Sequence, residues 1–403
     1  MKDIRSVARE AQQRSESPCY IFDIDGFHEQ YDYIKGMLGE KVHVNYCMKT
    51  NPFLVEEALW QTDRIEVCSY GEFLICKSLQ IPAKKLLISG VLKKKEEIRE
   101  IVAYGRDEAI YTAESPLQLQ YLQLYGESNG INLFVYLRLS SGNQFGMDED
   151  TLVGCLKEWE KYPNLLFYGI HFFSGTQKHK LKTYEKEIRI LDEVIGRIKE
   201  DTAFEVKHLE YGSGFGVSYF KYQLQTMTGE EQLQAFCHIL QGMEYKGEIS
   251  IEMGRALAYN CGYYVTQVCD LKTSGDKNYC IVDGGIHQIH YDGQIRGMYQ
   301  PLVTVAGEQK GEEKSYTVCG SLCTVNDVLM ADLTCKELSL GDLLVFERVG
   351  AYSVYEGMSL FLSHELPAIY SYSGEKGLCQ MRKRMESYPI NTPFQVNIKE
   401  RKN

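Results

Sequence analysis

The chain has 403 residues, 44% of them hydrophobic and 25% charged, the make-up of an ordinary globular protein with room for two domains. Its 44 Lys and Arg against 55 Asp and Glu leave a formal net charge of -11, which argues against a nucleic-acid or anionic-membrane partner. A charged start (MKDIRSVAREAQQRSESP), no long uncharged apolar run, and 13 cysteines without a CxxC or a zinc-ligand spacing predict a cytoplasmic protein with reduced thiols, no signal peptide, no membrane span and no metal site.

In chain order, Cys19-Tyr20-Ile21-Phe22 is strand-like and stands ahead of the main pattern. From residue 42 onward, short β-rich runs alternate with helical stretches. Strands are predicted at 42–48, 64–69, 85–90, 108–114, 132–140, 165–174, 206–211 and 248–253. The clearest helix covers 179–201, where Leu181, Tyr184, Ile188, Leu191, Val194, Ile195 and Ile198 recur at three- and four-residue steps. Eight such units predict an α/β fold, a parallel (β/α)8 barrel. A doubly wound open sheet is the alternative, because alternation alone does not say whether the sheet closes. After Arg255 the texture changes, and 256–372 carries β-runs separated by Gly, Asp, Lys and Asn with little helical periodicity. The predicted division is residues 25–262 for the barrel, and 1–24 with 263–403 for a mainly β domain of sandwich or barrel type, which the Cys19–Phe22 run joins.

Barrel ligands bind at the C-terminal ends of the strands, so the residues standing there are the candidates. In VHVNYCMKTNP (42–52) an alternating apolar run ends on Lys49, and Thr50-Asn51-Pro52 breaks it. A lysine in so apolar a setting is expected to lose solvation, so that its pKa falls and it serves as a neutral nucleophile; the plainer reading is a lysine snorkelling out at a strand end. The fifth strand carries Arg138, the sixth ends in HFFSGTQ (171–177), the seventh runs into EYGSGFG (210–216), and the eighth ends in EMGR (252–255). Gly212-Ser213-Gly214-Phe215-Gly216 lets backbone N–H groups approach a phosphate, Arg255 adds a charge, and Glu252 is placed to hold a protonated ring nitrogen. Each has a bland alternative: a steric turn for the glycines, an ion pair for Glu252 with Arg255. Together they describe a site for pyridoxal phosphate.

The chain resembles the fold-type III pyridoxal-phosphate decarboxylases, the diaminopimelate, ornithine and arginine decarboxylase family. The likeness rests on NYCMKTNP, EVCSYGE, GIHFFSGTQ, EYGSGFG, EMGR, CGSLCTVNDVL (319–329) and VGAYSV (349–354), in matching order and spacing. It implies an alanine-racemase-like barrel with a C-terminal β domain, pyridoxal phosphate as cofactor, and a homodimer with shared active sites. It further implies that Lys49 bonds the cofactor. Arg138, Phe173, Thr176, Gly212, Gly214, Gly216, Arg255 and Tyr352 line its site, and Glu252 pairs with the ring nitrogen. Cys323 reaches the active site from the partner subunit as the acid that protonates Cα, and Asp327 lies beside the substrate amine.

Some positions depart from the family pattern. Phe173 stands where a histidine usually stacks on the cofactor, Ser213 and Met253 replace a glycine and a proline, and Thr324-Val325-Asn326 replaces the acidic sequence after the cysteine. QFGMDE (144–149), GFGVSYF (214–220), VDGGIH (282–287) and SLCTVND (321–327) are similar to members of the butirosin pathway that act on a glutamyl group attached to an acyl carrier protein. The expected activity is therefore α-decarboxylation of an amino acid or of an aminoacyl group on a carrier protein. The alternatives are an amino-acid racemase on the same fold and a non-catalytic pyridoxal-phosphate-binding protein. Substrate contacts are sought in Ile289–Arg296, with Arg296 a candidate for a carboxylate or phosphate, while His171 and His287 are not ranked as catalytic.

Overall fold

Every predicted β-run of the first part of the chain forms a strand, short and mostly buried, as parallel strands covered on both faces must be. After β1 (Cys19–Asp23) come β2 (Val42–Cys47), β3 (Arg64–Val67), β4 (Leu86–Ile88), β5 (Ile110–Ala113), β6 (Leu133–Leu139), β7 (Leu165–Phe173), β8 (His208–Gly212) and β9 (Glu248–Met253). Strands β2 to β9 pair in sequence order, all parallel, and β9 returns to β2 with Asn45 opposite Glu252. That last ladder makes a closed barrel and excludes the open sheet. The structure is a computed structural model and describes residues 3–15, 17–222, 227–292 and 299–393.

Helices between the strands start where a side chain takes an otherwise free backbone N–H. Ser69 Oγ accepts from Glu72 N at 3.1 Å, Asp148 from Thr151 N at 2.9 Å, Ser115 caps the helix that opens with Pro116, and Thr228 and Glu231 cap each other's backbone. The predicted long helix spans Leu181–Asp201 and buries Tyr184, Ile188, Leu191, Val194 and Ile198, while Ile195 stays half-buried.

The chain separates into two compact units, residues 27–218 with 224–259, and residues 1–26, 219–223 and 260–403. In the second unit β1 runs antiparallel to β10 (Gly262–Ser274) and parallel to β16 (Ala368–Ser373), so the early strand-like run joins this sheet as its pattern predicted. With β11 (Lys277–Val282), β12 (Val303–Ala306), β13 (Lys310–Cys319), β14 (Val328–Glu337), β15 (Leu343–Glu347) and β17 (Gly377–Arg382) they make a mixed sheet of nine strands. It forks at β10, which pairs with both β11 and β15. One face packs Val7, Ala8 and Ala11 of the first helix (Ile4–Ser15) against Ile21, Val265, Val345 and Tyr370. None of the 13 cysteines forms a disulfide, and no described helix is long and apolar enough to cross a membrane.

Ile21 has no exposed surface and lies between β10 and β16. Replacing it with Ala should destabilise this unit by about 2–5 kcal/mol, the range for deleting a buried aliphatic side chain, read as a lower urea midpoint.

Candidate active site

Lys49 lies two residues beyond β2, in a 3-10 turn (Met48–Thr50) closed by Asn51 N donating to Met48 O at 3.0 Å. Asn51 Oδ1 accepts from Phe53 N at 3.1 Å, so the Asn-Pro break fixes where the amine emerges. Its ammonium donates to Glu66 on β3 and reaches Cys68 Sγ at 3.4 Å, and the Cys68 thiol donates to the other Glu66 oxygen at 3.1 Å. The Lys49 side chain keeps 36% exposure against 3% for Glu66. Burial alone would lower the lysine's pKa, as read from the sequence, but the acidic groups facing it, Cys47, Cys68, Glu66 and Glu252, hold it well above the ordinary value. The expectation of a neutral amine is therefore corrected: Lys49 is held as an ammonium in an ion pair with Glu66. Burial pushes the Glu66 carboxyl up, Lys49 and His171 pull it down, and the net is a carboxylate well below the usual range.

Glu252, near the end of β9, sits in the same cluster: ligand atoms of Cys47, Glu66 and Glu252 lie within 4.8 Å of one another. Its Oε1 has no hydrogen-bond partner although the residue is buried, and His171 Nε2 lies 3.2 Å away without hydrogen-bond alignment. Both ring nitrogens of the buried His171 and Thr50 Oγ1 are likewise unpartnered. Arg138, by contrast, is held: its guanidinium donates to Glu114 at 2.8 Å, and Glu114 also accepts from Gly146 N at 3.2 Å. The Phe145 ring centroid lies 4.8 Å from Arg138 Cζ.

The loops after β7 and β8 zip together, Lys178 N donating to Gly214 O at 3.0 Å and Gly216 N to Lys178 O at 3.2 Å. Gly214 has φ +57°, and a Cβ there would meet Gly175 O at 1.9 Å, so only glycine fits. The N–H of Gly216 is taken by this ladder, so Gly216 shapes the loop and offers no free donor to a phosphate. The Phe173 ring lies against Gly212, where a Cβ would approach it to 2.6 Å. Thr176 is exposed in the same loop, and Arg255 is buried at the start of the single helical turn (Arg255–Ala258) that follows β9.

In the sheet unit Cys323 is exposed on the loop between β13 and β14. Asp327, which the resemblance sets beside a substrate amine, is buried and braces its own loop. Its oxygens accept from Ile286 N at 2.8 Å and Leu322 N at 2.7 Å, so the buried carboxylate shapes the loop that carries Cys323. Tyr352 is half-buried with φ +64°. His287 is buried, its pKa pushed down to about 4 by burial and by His364, and is neutral. Arg296 lies outside the described residues, as do residues 293–295 of the segment proposed for substrate contacts.

The residues fit pyridoxal phosphate. An unpartnered buried acceptor (Glu252 Oε1) awaits a ring N–H, an amine stands beside it, and a loop that only glycine can form offers close backbone approach. Residues 19–350 match the family described as pyridoxal-dependent decarboxylase, C-terminal sheet domain. The chain belongs to the pyridoxal-dependent decarboxylase family. It is 26% identical over 385 residues to the L-glutamyl-[BtrI acyl-carrier protein] decarboxylase of Niallia circulans, covering 88% of each chain. It is 25% identical to the 2-[(L-alanin-3-ylcarbamoyl)methyl]-2-hydroxybutanedioate decarboxylase of Staphylococcus aureus, covering 91% of this chain and 97% of the other. The solved diaminopimelate decarboxylase of M. jannaschii, in complex with L-lysine, superposes with a TM-score of 0.83 at 20% identity over 97% of this chain and 95% of that one, a likeness of fold. This decarboxylase is thus a carboxy-lyase that uses pyridoxal phosphate, and neither a racemase nor a non-catalytic carrier is among these relatives.

The motif reading passed over the carboxylates that hold its cations, Glu66 for Lys49 and Glu114 for Arg138. The available signal was a glutamate in or just beyond an apolar β-run, in RIEVCS and EAIYTAE. It also passed over Lys93, buried after β4 and donating to Gly90 O and Gln118 Oε1, whose pKa burial pushes down to about 8.

Glu66→Gln tests the ion pair. Because the folded-state pKa of Glu66 lies below the unfolded one, its stabilisation is present above about pH 4.5 and is lost as pH falls through the folded value. The variant should be less stable by about 1–3 kcal/mol at pH 7, short of a fully buried pair because Lys49 is partly exposed, and its unfolding free energy should fall less steeply below pH 4.5 than that of the wild type.

Proposed function

We propose that this decarboxylase removes the α-carboxylate of an amino acid whose side-chain end is joined to a larger group, foremost a glutamyl-type group held on a carrier protein. The observation that carries this is shared by the two relatives named above. One acts on a carrier-bound glutamyl group, the other on an alanyl unit linked by its third carbon to a hydroxybutanedioate. Loss of the α-carboxylate requires that carboxylate to be free, so the linkage must run through the side chain. Such a substrate has no second amino-acid head to recognise, in keeping with Phe173 and Thr324-Val325-Asn326 at the departing positions.

In this reading Lys49 would bond the cofactor, Gly212 and Gly214 with Arg255 would hold its phosphate, Phe173 would stack on the ring, and Arg138 and Thr176 would border it. When bound, pyridoxal phosphate supplies the electron sink for the pair left by departing carbon dioxide. Glu252 accepts the ring N–H and keeps that nitrogen charged. Cys323, from the partner subunit of a homodimer, returns a proton to Cα. The proposal includes a cytoplasmic location, in keeping with 13 free thiols.

Carbon dioxide release should be measured with pyridoxal phosphate over free diaminopimelate, ornithine, lysine, arginine and glutamate, beside glutamyl groups loaded on carrier protein. Release from the loaded carrier alone is expected; release from one free diamino acid would overturn the tethered reading. Borohydride should fix pyridoxal phosphate on the wild type, detected by mass, and fail on Lys49→Ala. Cys323→Ala should retain the cofactor and lose amine formation by about 10²–10⁴-fold, the usual worth of a positioned acid. Undiminished amine formation would remove Cys323 from its role.

A further inference from the structure

Beneath the cofactor end of the barrel lies a second carboxyl that the chemistry above does not use. Glu210, in β8, has no exposed surface, and Asn45 of β2 donates to both of its oxygens, at 2.8 and 2.9 Å. Asn45 is the register partner of Glu252, and Gly212, two residues beyond Glu210, is the other. On the far side His208 Nε2 lies 3.9 Å from Glu210 Oε2. His208 lines a cavity of about 430 Å³ at the start of the barrel strands, with His43, Asn45, Tyr136, Glu248 and Ser250. A column of ionisable groups thus runs from the cofactor end to the opposite mouth.

We propose that Glu210 holds a proton beneath Glu252 and exchanges it with solvent through His208, so that the negative charge of the pair stays at the cofactor. This rests on Glu252 as the ring partner, but not on any choice of substrate.

Three observations carry it. First, the groups acting on Glu210 are the carboxylates Glu252 and Glu66, with Arg64 as the cation, Tyr136 and His208 at its lower end, and His171 beside it in register. Burial, then the Glu252 charge, pushes its carboxyl well up. Second, among the described residues the only ion-pair neighbour of Glu210 is the His208 ring, so no lysine or arginine side chain holds a charge on this fully buried carboxyl. Third, His208 is built as a relay. Its pKa is pushed down to about 4 by burial, so the ring is neutral, with Nδ1 3.3 Å from the exposed Glu248 and Nε2 2.8 Å from Ser250 Oγ. With the hydrogen on Nδ1, Nε2 takes the Glu210 proton when the ring closes the 3.9 Å gap from its contact with Ser250, while Nδ1 passes its own to Glu248 or to water in the cavity. The reverse path restores both, and no net charge is left behind.

Infrared spectroscopy of the holoenzyme at pH 8 tests this. A protonated-carboxyl carbonyl stretch is expected in the wild type and absent from Glu210→Gln, whose amide mimics the neutral acid and should leave cofactor absorbance intact. In D2O that band should shift rapidly in the wild type and about 10²-fold more slowly in His208→Phe, the usual contribution of a positioned proton carrier. A wild-type spectrum without such a band, a band that survives Glu210→Gln, or unchanged exchange in His208→Phe would each overturn the proposal. The wild-type spectrum decides even if a variant fails to fold. Because no substrate is added, failure here leaves the substrate reading untouched, and the carbon dioxide assay fails or succeeds on its own.

Discussion

Everything at the candidate site depends on the ladder between β9 and β2, because closing a parallel barrel forces charged side chains into a space without water. The register sets Glu252 opposite Asn45 and next to Gly212, with Cys47 and the turn of Lys49 just above. A buried charge left unpaired costs several kcal/mol, so the cations near this end come with carboxylates: Lys49 with Glu66, Arg138 with Glu114, Lys178 with Glu187. Once those pairs are drawn, Glu252 Oε1 remains an acceptor without a donor. That acceptor, with the His171 ring 3.2 Å away, is where the residues at this end of the barrel fit a ring N–H.

The same closure explains what could be read along the chain and what could not. Alternation of β-runs and helices, the position of Lys49 at a strand end and the glycines after β8 are local properties, and all stand where the pattern placed them. Partners are not local. Glu66 and Glu114 lie 17 and 24 residues from the cations they hold, and only the sheet brings them together. Missing Glu66 reversed the sign of the inference at Lys49: desolvation was legible, whereas the opposing carboxylates were not. The backbone N–H groups of residues 286 and 322 that Asp327 accepts from were out of reach of a reading along the chain in the same way.

The ion pair at Lys49 also bears on how the site is kept ready. An ammonium facing Glu66 is a poor nucleophile, yet the pair fixes the side chain at the end of β2. Glu66 thus orients the amine and keeps it charged, which neither a bare apolar strand end nor a solvent-exposed lysine provides.

Glu252 and Glu210 show how one residue type acquires two states from its surroundings. Both are buried glutamates on neighbouring strands, one layer apart in register. Glu252 sits near Lys49 and His171, where positive charge can gather, and its free acceptor faces the cofactor end. Glu210 sits between an amide and a neutral imidazole, with like charges above it. Burial and the charge above it push the Glu210 carboxyl up, and the partner it has is an amide rather than a cation, so two glutamates one layer apart on neighbouring strands meet opposite surroundings.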